Sequence, residues 1–167
     1  MSIEISGVID EKDYIRAQYL NLKPRPTMMV VGVLVLVLLS FALVMATREL
    51  LSGQVTSAEL LLFGAVLFVA GYFQYLHRGF KRNYRQYKSL HEPFSMELTE
   101  RELQASSSLG EAKIPWENFV KFKENKHLFL LYPCDNLFHM IPKRLVPDTE
   151  TQSKIRSLLK EKLGQHR

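Results

Sequence analysis

The sequence predicts an α+β membrane protein: a transmembrane helical hairpin joined to a cytoplasmic antiparallel sheet that one C-terminal helix caps. Three observations predict it. Two apolar runs, Met28 to Ala46 and Val55 to Leu76, stand close together, and the first carries no charge. At about 1.5 Å rise per helical residue each approaches the ~30 Å of a bilayer core. Short alternating stretches follow from Phe94 to Ile141, and one amphipathic pattern occupies Thr149 to Leu163. Strands in series followed by a helix make an antiparallel meander closed by one layer of helix.

The elements are justified in chain order. Ile3 and Ile5 alternate with Ser2, Glu4 and Ser6, the period of a strand. Asp10 is placed to cap a helix from Glu11 to Leu22, and Pro24 and Pro26 end it. The second apolar run has one acid, Glu59, near its start, where an interface residue is the plainer reading than an ion site. Gly64 and Gly71 lie seven apart on that run, and with Gly32, Ser40 and Ala46 of the first they predict close helix packing. Tyr72, Phe73 and Tyr75 suit a headgroup region. The expected organisation is 1–26 (strand and helix), 27–76 (hairpin, spans about 28–46 and 55–76), 77–91 (basic stalk) and 92–167 (C-terminal domain).

Pro93 opens the C-terminal domain, since the residue before a proline is steered away from helix. Phe94, Met96 and Leu98 alternate with polar residues, as do Leu103, Ala105 and Ser107; Lys113 to Pro115, Val120 with Phe122, Leu128 to Tyr132 and Leu137 to Ile141 supply further strands. Thr149 with Gln152 resembles a capping box, Ile155, Leu158, Leu159 and Leu163 share one helical face, and Gly164 stops the helix. The N-terminal strand is free to complete the sheet.

Charge is uneven. The formal net charge is +5, and its excess sits in one stretch: Arg78, Lys81, Arg82, Arg85 and Lys88, with no acid between 77 and 91. Such bases orient spans and hold anionic lipid, each contributing on the order of 1 kcal/mol. Together with Lys23 and Arg25 they place both termini in the cytoplasm of a multi-pass plasma (inner) membrane protein; about twenty-six residues before the first run are too many for an ordinary cleaved leader. The C-terminal domain is close to neutral, which argues against nucleic acid. Cys134 is the single cysteine, so no internal disulfide forms.

In this arrangement Gly110, Ile114, Trp116 and Phe119, then Leu128, Leu130 and Tyr132, then Ile141, Pro142, Lys143 and Arg144 give the chain a resemblance to the YcxB-like family of bacterial membrane proteins. An aromatic commonly follows the basic pair in that family, where Leu145 stands here. The resemblance implies a C-terminal domain similar to a bacterial pleckstrin-homology fold and no settled biochemical activity.

The chemistry-bearing residues point away from catalysis. His77, His91, His127, His139 and His166 show no metal-ligand spacing, and neither a phosphate loop nor a nucleophile elbow is present. Cys134 with His139 is the one nucleophile and base pairing to weigh, and it lacks an orienting group. Trp116 reads as core filling rather than recognition. Lys143 and Arg144 end a strand and are the predicted partner or lipid contact, with Lys121, Lys123 and Lys126 as possible companions. The expectation is therefore a membrane-anchored binding or scaffolding protein, with no enzyme activity, cofactor or metal. Its expected partners are membrane lipids and a protein partner or second copy. The alternative is an accessory subunit of a transport or transmembrane signalling complex.

Overall fold

The computed structural model describes residues 2–22, 37, 39–40, 42–44, 47, 57–108 and 110–164. It divides into two compact units: Met1–Leu22 with Phe80–Arg167, and Lys23–Gly79. The first unit contains strand β1 (Ile3–Gly7) and helix α1 (Glu11–Leu22), then β2 (Phe94–Leu98), β3 (Glu102–Ser107), β4 (Gly110–Pro115), β5 (Lys121–Glu124), β6 (Leu128–Cys134), β7 (Leu137–Pro142) and a C-terminal helix α3 (Thr149–Leu163). Helix α2 (Ser57–Gln86) belongs to the second unit as far as Gly79 and to the first from Phe80.

Two antiparallel sheets replace the single expected meander. The first has the order β1-β2-β3-β4 and the second β5-β6-β7. Strand β1 pairs with β2 through Ile3↔Leu98 and Ile5↔Met96, so the apolar residues of the alternation fall on one face. That face meets the second sheet in a core of Ile3, Ile5, Leu98, Leu103, Trp116, Phe119, Phe129, Leu131 and Ile141, to which α3 adds Ile155 and Leu159. Each such side chain contributes roughly 1.5–3 kcal/mol by leaving water. Strand β6 explains the two layers: Leu128, Leu130 and Tyr132 form a second core with Ala17 and Leu20 of α1, while Phe129 and Leu131 face the first. All five are fully buried, so β6 is covered on both faces.

Helix ends follow local chemistry. Asp148, rather than the expected Thr149, caps α3 by accepting the Thr151 amide at 2.6 Å. Gln152, assigned above to a capping box, donates instead to the Lys143 carbonyl at 3.2 Å. Gly164 closes the helix with φ 68°.

The membrane expectation is overturned. Among the described residues no helix is long and apolar enough to cross a membrane, so the transmembrane hairpin, the membrane fold class and the multi-pass plasma-membrane location are corrected. The physical reason lies in α2. In sequence its uninterrupted apolar run extends only from Leu60 to Phe73, between Glu59 and Gln74, and His77, Arg78, Lys81, Arg82 and Arg85 follow; a span needs about 20 predominantly apolar residues. Most of the other apolar run, Met28 to Ala46, lies outside the described residues. The remainder is an α+β arrangement of two sheets with amphipathic helices.

Candidate anion-binding surface

Lys143 and Arg144, the predicted contact residues, form the 3₁₀ turn Lys143–Leu145 that follows β7, and both are engaged in ion pairs, although the Arg144 side chain stays 41% exposed. The Lys143 ammonium donates to Glu124 Oε1 at 2.6 Å and to the Asn125 carbonyl at 2.7 Å, and lies 4.5 Å from the Phe129 ring centroid. Arg144 donates to Asp13 Oδ2 at 2.8 Å through Nε, pairs with it at 2.6 Å through a terminal nitrogen, and donates to the Val8 carbonyl at 2.7 Å. Among the described residues Asp13 is the buried charged side chain, 2% exposed. Its hydrogen bonds hold the Arg144 guanidinium above its ordinary value.

Glu124 and Asp13 are the residues that sequence reasoning missed. Glu124 receives Lys143 and a bidentate Arg156, whose Nε lies 3.0 Å from both carboxylate oxygens. Burial raises the Glu124 carboxyl, but the hydrogen bonds from Arg156 and Lys143 and their charges outweigh this and hold it below its ordinary value. The available signal for Asp13 was spacing: it shares a helical stripe with Ala17 and Leu20, and an acid on a buried stripe demands a partner.

The companion lysines are dispersed. Lys121 pairs with Asp135, Lys123 donates to the Asn21 carbonyl at 3.0 Å at the end of α1, and Lys126 is exposed in the β5–β6 turn. Tyr132 donates to Asn21 Oδ1 at 3.0 Å, and burial pushes its phenol up to about 12. Trp116 is buried and donates through its indole to the Thr99 carbonyl at 2.9 Å. Cys134 is exposed, whereas His139 packs edge-on against Phe119 and burial pulls its imidazole below the usual value. The β6–β7 register sets Cys134 opposite Leu137 and His139 opposite Leu131. Among the described residues no group of three or more His, Cys, Asp or Glu is placed to hold a metal ion.

The basic end of α2 is different. Phe80 and Tyr84, four apart, share the helix face that docks on α1: Phe80 meets Tyr19 edge-on at 5.5 Å, and the Tyr84 hydroxyl donates to the Ile9 carbonyl at 2.7 Å. Arg82 therefore occupies the opposite face and Arg85 the flank, and they and Lys88 are exposed. Glu11 draws Lys81 to 3.6 Å and Arg85 to 3.8 Å, yet the Arg85 side chain stays 74% exposed. Lys12 and Arg16 add exposed bases on α1. Arg78, also exposed, lies on the part of α2 that belongs to the second unit. Gly64 and Gly71, predicted to pack helices, are exposed there, and among the described residues nothing beyond the adjoining residues and the helix's own backbone lies within 4 Å of a Cβ built on either.

Comparison with known families reaches the C-terminal part of this unit, from Leu98 of β2 to Leu159 of α3. Residues 98–159 match the family model of the YcxB-like protein. The chain carries a YcxB-like segment. The resemblance carried by Gly110, Trp116, Tyr132 and the Lys143–Arg144 pair falls inside it. The YcxB-like family is not a known enzyme family. No curated protein and no solved structure gives a significant match. Strand β1, helix α1 and the basic end of α2 all precede the YcxB-like segment, although β1 and α1 supply part of its two cores.

Proposed function

We propose that this chain is a binding or scaffolding module that holds an anionic lipid surface through the basic end of α2 and has no catalytic activity. One observation carries the reading: Arg82 and Arg85 are exposed on a helix end whose other face is docked and Lys88 is exposed in the turn just after it, whereas Lys143 and Arg144 are occupied by Glu124 and Asp13. Bases near an anionic leaflet contribute on the order of 1 kcal/mol each. The test is co-sedimentation of the full chain with vesicles of phosphatidylglycerol and phosphatidylcholine against vesicles of phosphatidylcholine alone. Binding to the anionic vesicles alone is expected, weakened at least about a hundredfold by Arg82→Glu, Arg85→Glu and Lys88→Glu together. Equal binding by the triple variant rejects the reading.

A second reading has its own observation. Leu67, Phe68 and Phe73 of α2 are 72%, 74% and 57% exposed, and exposed apolar stretches mark interaction sites. On this reading the chain is an accessory subunit of a transport or signalling complex whose partner covers that stretch. Gly71→Leu then dissociates a complex that survives the triple charge reversal.

A further inference from the structure

The first sheet ends on β4, whose outer edge has no neighbour in the strand order among the described residues. Gly110, Glu111, Ala112, Lys113 and Pro115 are all exposed. The Trp116 amide donates to the Arg101 carbonyl at 3.3 Å, which sets the phase of the β3–β4 ladder. Opposed residues in an antiparallel pair alternate between exchanging both backbone hydrogen bonds and exchanging none. Ile114 and Ala112 therefore bond inward to Leu103 and Ala105, and Glu111, Lys113 and Pro115 turn their backbone groups to the free edge.

We propose that β4 is a self-association edge, on which a second copy of this chain pairs its own β4 antiparallel about a two-fold axis through Ala112. In this register Glu111 of each copy stands opposite Lys113 of the other. Both positions have outward N–H and C=O groups, so the two pairs exchange four backbone hydrogen bonds. The side chains that meet across the joint are of opposite charge, which favours the pairing. Moving the axis one residue along, to Glu111 or Lys113, sets like charges opposite each other. Register steps that pair an outward residue with an inward one make no ladder. Pro115 has no N–H, so the added ladder stops there. Lysine and proline on an edge usually keep foreign strands away; Glu111 makes this edge complementary to itself.

The two Ala112 residues face each other at the axis as a non-hydrogen-bonded pair, with Cα atoms about 4.5 Å apart, within disulfide range. The experiment places Ala112→Cys in a Cys134→Ser background of the full chain and follows mild oxidation by non-reducing electrophoresis. A covalent dimer is expected, forming faster than from a Glu117→Cys control. Adding Lys113→Glu opposes like charges and slows it about tenfold, and further adding Glu111→Lys restores the rate. Recovery in the swapped variant shows that the intermediate variant was folded. Crosslinking no faster than the control, insensitivity to charge, or failure of the swap to restore the rate each overturns the proposal.

Discussion

Arg144 reaches back across most of the sequence to Asp13, ending 2.6 Å from a carboxylate that is only 3% exposed. The contact fastens α1 to the turn after β7, and the same turn sends Lys143 to Glu124. A basic pair that reads as a recognition feature is in this fold a two-pronged clasp.

Removing one prong leaves a buried charge without its partner. Arg144→Ala is expected to destabilise the chain by about 2–3 kcal/mol, and Arg144→Lys to recover only part, because an ammonium cannot reproduce the guanidinium fork. Urea denaturation followed by circular dichroism measures both; a cost below about 0.5 kcal/mol for Arg144→Ala contradicts the assignment.

The Glu124 cluster sets an acid limit. Its folded carboxyl titrates below the unfolded value of 4.5, so the stabilisation it gives is present above pH 4.5 and is lost as pH falls through the lower folded value. Glu124→Gln is expected to cost about 1–2 kcal/mol at pH 7 and to flatten the loss of stability as pH falls below 4.5. Melting temperatures across that range provide the check, and parallel acid profiles would refute it.

Tyr132 sets the alkaline limit. Its phenol is raised from 10.0 to about 12 by burial, so the neutral form stabilises the fold fully below pH 10 and that contribution disappears as pH rises toward 12. Tyr132→Phe reduces the slope above pH 10, leaving the part due to Tyr84, whose phenol burial also raises, while losing the bond to Asn21 at neutral pH at a cost of about 1 kcal/mol. Ultraviolet titration of the phenolates should show one late-ionising group that the variant lacks.

Gly7 is a fitted position. Its φ is +156°, and a Cβ there would lie 2.7 Å from Leu145 Cδ2. Gly7→Ala is expected to cost about 1–3 kcal/mol through overpacking, and Leu145→Ala in the same chain to cancel part of that. Strictly additive costs in the double-mutant cycle would show that the two positions do not touch.

Local elements were readable from local patterns. The alternation at Ile3 and Ile5 marks β1, and the helix of Glu11–Leu22 agrees with the stripe before Pro24. The division into two sheets was written less openly. Five consecutive apolar residues, Leu128 to Tyr132, are the signature of a strand covered on both faces, but a meander accommodates them equally well on paper. The clasp was illegible because Asp13 and Arg144 are 131 positions apart, and neither periodicity nor charge counting reports partners at such a separation. The apolar stretch of α2 reads as a span on hydrophobicity alone, but Gln74 and Arg78 interrupt it too soon.

The pairing of Ile3 with Leu98 also imposes an order of assembly. Strand β1 meets its neighbour only after some ninety further residues have been made, about 5–20 s later at ordinary elongation rates. Until then Ile3 and Ile5 have no sheet to enter. This unit therefore closes late, when β2 returns to collect a strand made long before it.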